Sequence, residues 1–261
     1  MNYQRVSPWV SLATAGILAI LSAPANAASV SFSPFSFKTN WTGSSPKGNV
    51  MLQSVNYGGN SHSNFGLVSG ANLLYNDLRT VKGTGAASSD MGDNATVGIR
   101  QEVATNSSIV ASLGNLNLNS IIDTEDKGRF VMDLFFTQAS DRFLFWERGM
   151  NSKMLVEALD DTGSVLSSYL FNSNNSQYAG FGIDTKEITD TQKVGSQGLL
   201  LNGATSKRLR LTASGAVSNG PDFKVVSTPV PEPATIVGTL LAAGAALSAR
   251  RKKQQATEAE A

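Results

Sequence analysis

Residues 130–171 read FVMDLFFTQASDRFLFWERGMNSKMLVEALDDTGSVLSSYLF, and this stretch decides the fold class. Its four runs of aromatic and aliphatic residues are 130–136, 142–147, 153–159 and 165–171. Segments rich in Gly, Asn, Asp and Ser separate them. Short strands joined by such turns at this spacing are typical of an all-β sandwich or barrel. Gly163 can adopt the positive φ that a hairpin turn requires.

The flanking sequence extends the same pattern. Further strands are predicted at 29–37, 97–103, 207–212 and 223–226. Pro34 interrupts the first of them, which is typical of an edge strand. Helix is scarce, with only a short helix or turn expected at 184–194. We therefore predict a mainly β fold for residues 28–229, as an antiparallel, jelly-roll-like β-sandwich.

The composition of the chain excludes several classes of site. The 261 residues include no cysteine, which rules out disulfides, cysteine-ligated metals and a cysteine nucleophile. Five of the 21 basic and two of the 20 acidic residues lie near the two ends, so the stretch 28–233 has a net charge of −2. A nucleic-acid binder needs a broad positive field, and nucleic acid is therefore not expected as a partner.

The N-terminus has the features of a secretory signal. Arg5 precedes an apolar run from Val10 to Leu21, which at about a dozen residues is too short to span a bilayer as a helix. Ala25 and Ala27 then form an Ala-x-Ala site. We predict a signal helix within residues 1–27, cut by signal peptidase between Ala27 and Ala28. The alternative is a buried N-terminal helix.

The C-terminus combines three features in a fixed order. The tripeptide Pro231, Glu232, Pro233 precedes an uncharged run at 234–249, and a basic cluster that begins Arg250-Arg251 closes it. Sixteen helical residues span roughly 24 Å, slightly less than a bilayer core. We expect a single transmembrane helix, the basic cluster and the tail 254–261 on the cytoplasmic side, and the larger segment outside.

This arrangement at 230–253 resembles the PEP-CTERM sorting signal that exosortases recognise. The resemblance implies transient anchoring in the membrane and then removal of the helix near Pro231–Pro233. The tail 254–261 is longer and more acidic than such signals usually show. The alternative is a permanent single-span anchor.

Three segments of the central part carry a second resemblance. FWERGMNS (145–152), YAGFGIDT (178–185) and GPDFKVV (220–226) are similar to segments of a cyanobacterial exosortase-dependent surface protein family. The similarity covers roughly residues 120–233. It implies a surface location and a β fold, and it brings no activity with it.

His62 is the only histidine and lies beside a Gly-rich turn. A Ser/His/Asp hydrolase needs such a base, but the sequence has no Gly-x-Ser-x-Gly elbow to support one. We therefore expect His62 to be an exposed loop residue, and we predict no catalytic residue.

Glu147 is the most interesting carboxylate, because Trp146 and Arg148 flank it at the end of an apolar strand. A glycosidase needs two carboxylates, with an aromatic platform for the sugar. In the structural alternative, Trp146 packs in the core while Glu147 and Arg148 pair with neighbours or cap the turn at Gly149. A cleft facing a second acid would favour catalysis, and a buried, paired Glu147 would favour structure.

Two acidic segments, 90–94 and 123–126, are candidates for calcium, a common ligand of extracellular β-domains. Neither has the spacing of an EF-hand loop, so we expect solvated turns and predict no cofactor or metal site.

Together these features predict an exported, exosortase-processed protein of the cell surface, outer envelope or extracellular matrix, without catalytic activity. Association with extracellular polysaccharide is the expectation from location and fold class. The alternative is a secreted carbohydrate-active hydrolase that uses paired carboxylates.

Overall fold

The computed structural model describes residues 29–79, 84–85, 87–91, 102–184, 191–214 and 219–230. Strands dominate these residues and every ladder between them is antiparallel, which confirms the predicted mainly β fold. No helix in the described part of the chain is long and apolar enough to cross a membrane. The predicted signal segment 1–27 and the predicted span 234–249 lie outside the described residues.

The described residues form seventeen strands, one α-helix and a short 3₁₀ helix, Ser173–Asn175. The strands and the helix are β1 (Ser31–Phe35), β2 (Lys38–Gly43), β3 (Val50–Tyr57), β4 (Asn60–His62), β5 (Val68–Asn76), β6 (Leu78–Arg79), β7 (Thr84–Gly85), β8 (Ala87–Met91), β9 (Glu102–Val103), α1 (Asn106–Leu113), β10 (Ser120–Thr124), β11 (Arg129–Arg148), β12 (Lys153–Leu159), β13 (Val165–Asn172), β14 (Gln177–Ile183), β15 (Gln192–Asn202), β16 (Ser206–Ser214) and β17 (Phe223–Pro229).

A twelve-stranded sheet has two halves that share β11. The front half has the order β13-β12-β16-β11-β5. The middle half has the order β15-β11-β17-β10-β8-β9, and β1 and β14 both pair with the other edge of β15. A separate three-stranded cover sheet, β2-β3-β4, supplies residues that pack on the middle half.

The prediction of a turn at 138–141 was wrong, because these residues lie within strand β11. The sequence predicted two strands with a turn at 138–141, but the chain continues as one strand of 20 residues. Up to Phe135 its neighbours are β16 and β5, and from Arg142 they are β15 and β17. The ladder registers shift between Phe135 and Arg142. The turn-forming residues therefore make a bulge, which passes the strand from one half of the sheet to the other.

The other strand predictions are largely confirmed. The runs 153–159, 165–171, 207–212 and 223–226 lie within β12, β13, β16 and β17. Gly163 has φ 88° in the β12–β13 turn, and β1 contains Pro34 and pairs only with β15. Of the segment 97–103, only β9 lies among the described residues, and of 184–194 the residues 185–190 lie outside them.

The large sheet nearly closes on itself. At one open side, the Phe32 amide on β1 donates to Ser167 Oγ on β13 at 3.1 Å. At the other, the Asn76 side chain on β5 bonds both the amide and the carbonyl of Ala87 on β8, at 2.8 and 3.1 Å. Side chains thus bridge both sides at which strand pairing stops.

The middle half is buried on both faces. Between the two halves lies a first core, which includes Phe130, Leu134 and Phe145. Between the middle half and the cover sheet lies a second core, which includes Leu144 and Trp146. This explains why residues 143–146 are continuously apolar rather than alternating, since both faces of that strand segment pack.

Helix α1 was not predicted. Thr105 caps its first turn by accepting from the Ser108 amide at 3.1 Å, while Ser108 Oγ accepts from the Thr105 amide at 2.8 Å. This is the reciprocal capping arrangement, with serine in place of the usual glutamate. Ile109 and Leu113 anchor the helix in the first core.

Both ends of the described domain leave it at the same end of the middle half. Ser31 pairs with Asn202 at the start of β1, and Pro229 pairs with Ser140 at the end of β17. Ser140 also pairs with Ser206, just beyond the turn that follows Asn202. The start of β1 and the end of β17 therefore lie on one side of the molecule.

We expect Gly198→Ala to lower the free energy of unfolding by about 1–3 kcal/mol, because a Cβ on β15 would overlap the ring of Phe35. Gly70→Ala is the control, since its Cβ would meet Phe135 at an ordinary 3.4 Å. Urea denaturation of both variants measures the difference. Equal losses in the two variants would contradict the proposed packing of β1.

Candidate functional site

Two of the segments singled out in the sequence meet in the structure. The end of β11 pairs with the start of β17, so that Glu147 lies opposite Phe223 and Trp146 opposite Lys224. The buried charged residues near this pairing, which we call the polar cluster, are Glu147, Arg148, Asp123, Asp222 and Lys224, of which Arg148, Asp123 and Asp222 contact one another. The contacts of these residues decide between the catalytic and the structural alternative for Glu147.

Trp146 lies in the second core, as the structural alternative predicted. Its side chain is 1% exposed and packs edge-to-face on Phe37 with ring centroids 5.2 Å apart. The indole nitrogen donates to Thr39 Oγ1 at 2.9 Å. Its buried polar atom is thereby satisfied, and neither face of the ring is presented as a sugar platform.

Arg148 forms a buried ion-pair triad with two carboxylates. Its guanidinium donates to Asp222 Oδ2 at 2.8 and 3.1 Å and to Asp123 Oδ2 at 3.0 Å. The Arg148 side chain is 2% exposed and that of Asp123 is 4% exposed. Asp222 also accepts the Thr124 amide at 2.8 Å, so the triad ties β10, β11 and the start of β17 together.

The triad contains one cation for two carboxylates, which sets its titration. Burial lowers the pKa of Arg148, but Asp222 and Asp123 outweigh that effect and hold the pKa above its ordinary value. Burial and the neighbouring Asp123 raise the pKa of Asp222. The raised pKa means that Asp222 keeps its proton to a higher pH than an ordinary aspartate does.

Glu147 points away from the triad and closes the turn between β11 and β12. Its Oε2 accepts the Met150 amide at 2.7 Å, and its Oε1 accepts Ser152 Oγ at 2.7 Å. The Ser152 amide in turn donates to Ser173 Oγ at 2.7 Å. These bonds hold a strained turn in which Met150 has a left-handed φ of 55°.

The surroundings of Glu147 match the structural alternative. The residue is 1% exposed, both of its oxygens are occupied, and it lines neither of two surface depressions of about 310 and 320 Å³. Burial raises its pKa to about 7, although Ser152, Ser173 and the Met150 amide lower it in part. The carboxylate organises a turn and does not face a second acid across a cleft.

Lys224 is fully buried on β17 and reaches the end of α1. Its ammonium donates to the Ser112 carbonyl at 2.6 Å and to Asn115 Oδ1 at 3.0 Å. Burial lowers its pKa well below the ordinary value. A lysine at a helix C-terminus interacts favourably with unpaired carbonyls, so Lys224 fixes α1 to the middle half.

The third segment from the sequence, 178–185, is described up to residue 184, and its residues Ala179, Phe181 and Ile183 pack against the cover sheet. Phe181 contacts Trp41 edge-to-face with ring centroids 5.6 Å apart. The Gly182 amide donates to Ser45 Oγ at 3.1 Å, and that hydroxyl donates to the Gly182 carbonyl at 2.9 Å. This segment builds the second core and contributes no side chain to the polar cluster.

The prediction that His62 is an exposed loop residue was wrong. The residue belongs to β4 rather than to a loop, and it is half-buried. Its ring stacks on Tyr57 with centroids 4.1 Å apart and planes inclined by 4°. The only histidine therefore serves as a packing residue on the cover sheet.

The acidic segment 123–126 also differs from its prediction. Asp123 is buried and paired with Arg148 rather than solvated, whereas Asp126 lies in an exposed turn. Of the segment 90–94, residues 92–94 lie outside the described residues. Within the described ranges, no group of three or more His, Asp or Glu side chains is placed to hold a metal ion.

The predicted processing residues fall outside the described residues. They are Ala25, Ala27, Ala28, Pro231, Glu232, Pro233, Arg250 and Arg251. Comparison of the chain with models of known families gives no match, and comparison with curated proteins gives none either.

The sequence alone did not reveal the Arg148 triad or the burial of Lys224. The sequence signal for the burial of Lys224 is its position between the apolar residues Phe223 and Val225 within one strand. A charge inside an apolar run is usually on a solvated face, and only the cover sheet and α1 make this face an interior.

We expect Arg148→Met to lower the free energy of unfolding by about 3–5 kcal/mol, because it leaves two buried carboxylates without their cation. Arg142→Met on the same strand is the matched control. Its pair with Asp141 is solvent-accessible, so the expected loss is below about 1 kcal/mol. Chemical denaturation of both variants makes the comparison, and similar losses would contradict a structural role for the triad.

Glu147 predicts a pH dependence of stability. The unfolded carboxyl ionises near its ordinary 4.5, while the folded one keeps its proton to about pH 7. The contribution is therefore present below pH 4.5 and is lost as the pH rises to about 7, a fall of about 3 kcal/mol. Glu147→Gln should remove this fall. Urea midpoints of the two proteins from pH 4 to 8 measure it, and parallel curves would refute the assignment.

Proposed function

We propose that the chain is an exported surface protein, cut by signal peptidase after Ala27 and by an exosortase near Pro231–Pro233. In this proposal the apolar run 234–249 anchors the chain in the inner membrane only until processing. The mature β-domain then acts at the cell surface, in the outer envelope or in the extracellular matrix. The observation that carries the proposal is the order of the Pro-Glu-Pro tripeptide, apolar run and basic cluster at 231–253.

The end of the described domain supports this reading. Strand β17 ends at Pro229, two residues before Pro231, and Pro229 is paired with Ser140. Four residues lie between Pro229 and Ala234, and an extended chain spans at most about 3.6 Å per residue. The domain would thus stand close to the membrane surface while it is anchored, with the tripeptide between them.

The common exit of the two chain ends also supports the proposal. The start of β1 and the end of β17 lie on one side of the molecule. Two membrane-directed segments on the same side can both engage the bilayer without pulling strands from the sheet. The cluster around Arg148 then lies at the far end of the middle half, away from the membrane.

We further propose that the mature domain works by binding rather than catalysis, with a sandwich-like body and polysaccharide as its partner. The burial of Glu147 and its two occupied oxygens support this, since the leading candidate for a catalytic acid serves the fold. His62, the only candidate base of a Ser/His/Asp triad, stacks on Tyr57.

Intact-mass analysis of the protein from its native surface fraction tests the proposal. We expect a species that begins at Ala28 and ends near Pro231–Pro233. Glu232→Ala should leave the chain in the membrane fraction with its C-terminus retained, because the tripeptide is altered. Glu258→Ala in the tail is the control and should be processed normally. A surface species that still ends at Ala261 would refute processing.

A further inference from the structure

The outward face of the front half carries a groove that has no part in the proposed processing of the two ends. Its volume is about 320 Å³, and it lies across β13, β12 and β16. The lining residues are Lys153, Met154, Leu155, Leu170, Thr212 and Ser214. The cover sheet packs on the middle half. No described element covers this face of the front half.

The floor of the groove is aliphatic. Leu155 and Leu170 lie directly opposite each other on β12 and β13, and Leu155 also pairs with Thr212 on β16. Leu170 is 59% exposed, more than any other large apolar residue of the described chain. A flat apolar floor on a sheet suits the C–H face of a sugar ring, which is rigid and apolar while the rim of the ring is polar.

The rim of the groove supplies one unpaired cation and one free hydroxyl. Lys153 is half-buried and forms no ion pair with any described residue. The Thr212 hydroxyl has no hydrogen-bond partner among the described residues. Because ammonium and hydroxyl stand beside an apolar floor, a matching ligand needs a carboxylate and hydroxyls around an apolar surface.

The neighbouring charges on this face are already matched. Arg129 pairs with Asp77 at 3.1 Å. Asp133 is fully buried and accepts from Arg210 at 2.8 Å and from Arg208. Glu157 lies opposite Arg210 in the β12–β16 ladder, so that two carboxylates balance two guanidiniums. Lys153 therefore carries the unbalanced charge of the groove, and an anionic ligand would complement it.

We propose that this groove binds a carboxylated polysaccharide, with one uronate unit on the Leu155–Leu170 floor and its carboxylate on Lys153. The inference rests on the proposed surface function and names the class of its partner. Leu170 is 59% exposed, so the groove opens to solvent and an internal unit of a long chain can reach its floor.

The test uses the mature protein purified from its native surface fraction and electrophoresis through gels that contain polygalacturonate. Dextran, an uncharged polysaccharide, is the reference. We expect retardation by polygalacturonate alone, and less of it at high salt because the ammonium–carboxylate contact is screened. Lys153→Gln should weaken binding about two- to fivefold, as for an exposed ion pair.

Leu170→Asp should weaken binding by about tenfold or more, because it sets a carboxylate on the floor of the groove. Val165→Asp is the matched control, since Val165 lies at the other end of β13, is 50% exposed and does not line the groove. Both substitutions are on the surface, and thermal melting checks that both variants remain folded.

Three results would overturn the inference: equal retardation by dextran, equal weakening by Leu170→Asp and Val165→Asp, or no retardation at all. A fourth is a dimer that Leu170→Asp converts to a monomer in sedimentation, since a second copy would then occupy the groove. If the protein is processed as proposed but does not bind polygalacturonate, only the inference about the groove fails. If the protein binds polygalacturonate but is never processed, the proposed function fails.

Discussion

Strand β11 forms hydrogen bonds with four neighbours, two along each of its halves. Because one continuous segment belongs to both halves of the sheet, neither half can form its full set of backbone bonds without the other. The bulge near Ser140 redirects the strand, and the two cores then form on opposite sides of its second half. The sheet, both cores and the polar cluster at Glu147 and Arg148 all depend on this continuity.

This domain has no disulfide, and buried charges join the chain segments that meet at one end of the middle half. Asp123, Arg148 and Asp222 come from three different stretches, and Lys224 adds the end of α1. Buried charges contribute little net stability, since desolvation offsets most of their attraction. They do penalise wrong pairings strongly, because any shift in register would leave a charge buried alone. We expect these charges to specify register more than they supply net stability.

Local patterns predicted those features that depend on neighbouring residues. The hairpin at Gly163 and the strands beside it follow from turn chemistry and apolar runs, and the core position of Trp146 follows from its place at the end of such a run. The continuity of β11 could not be predicted, because Gln138–Asp141 has turn composition and only pairing with distant strands overrides it. The buried Lys224 and the groove at Leu170 likewise depend on which faces distant elements cover, and no local pattern encodes that.

The last strand of the domain is an interior one. Strand β17 lies between β11 and β10 and supplies Phe223 and Val225 to the first core and Val226 to the second. Until the nascent chain includes residue 229, the central strand β17 of the sheet is incomplete. Neither core can therefore form fully before that point. In the proposed export, the chain has to cross the membrane before it folds, and late completion of the sheet would suit such a passage. The domain would then reach its final fold only after β17 has followed the rest of the chain.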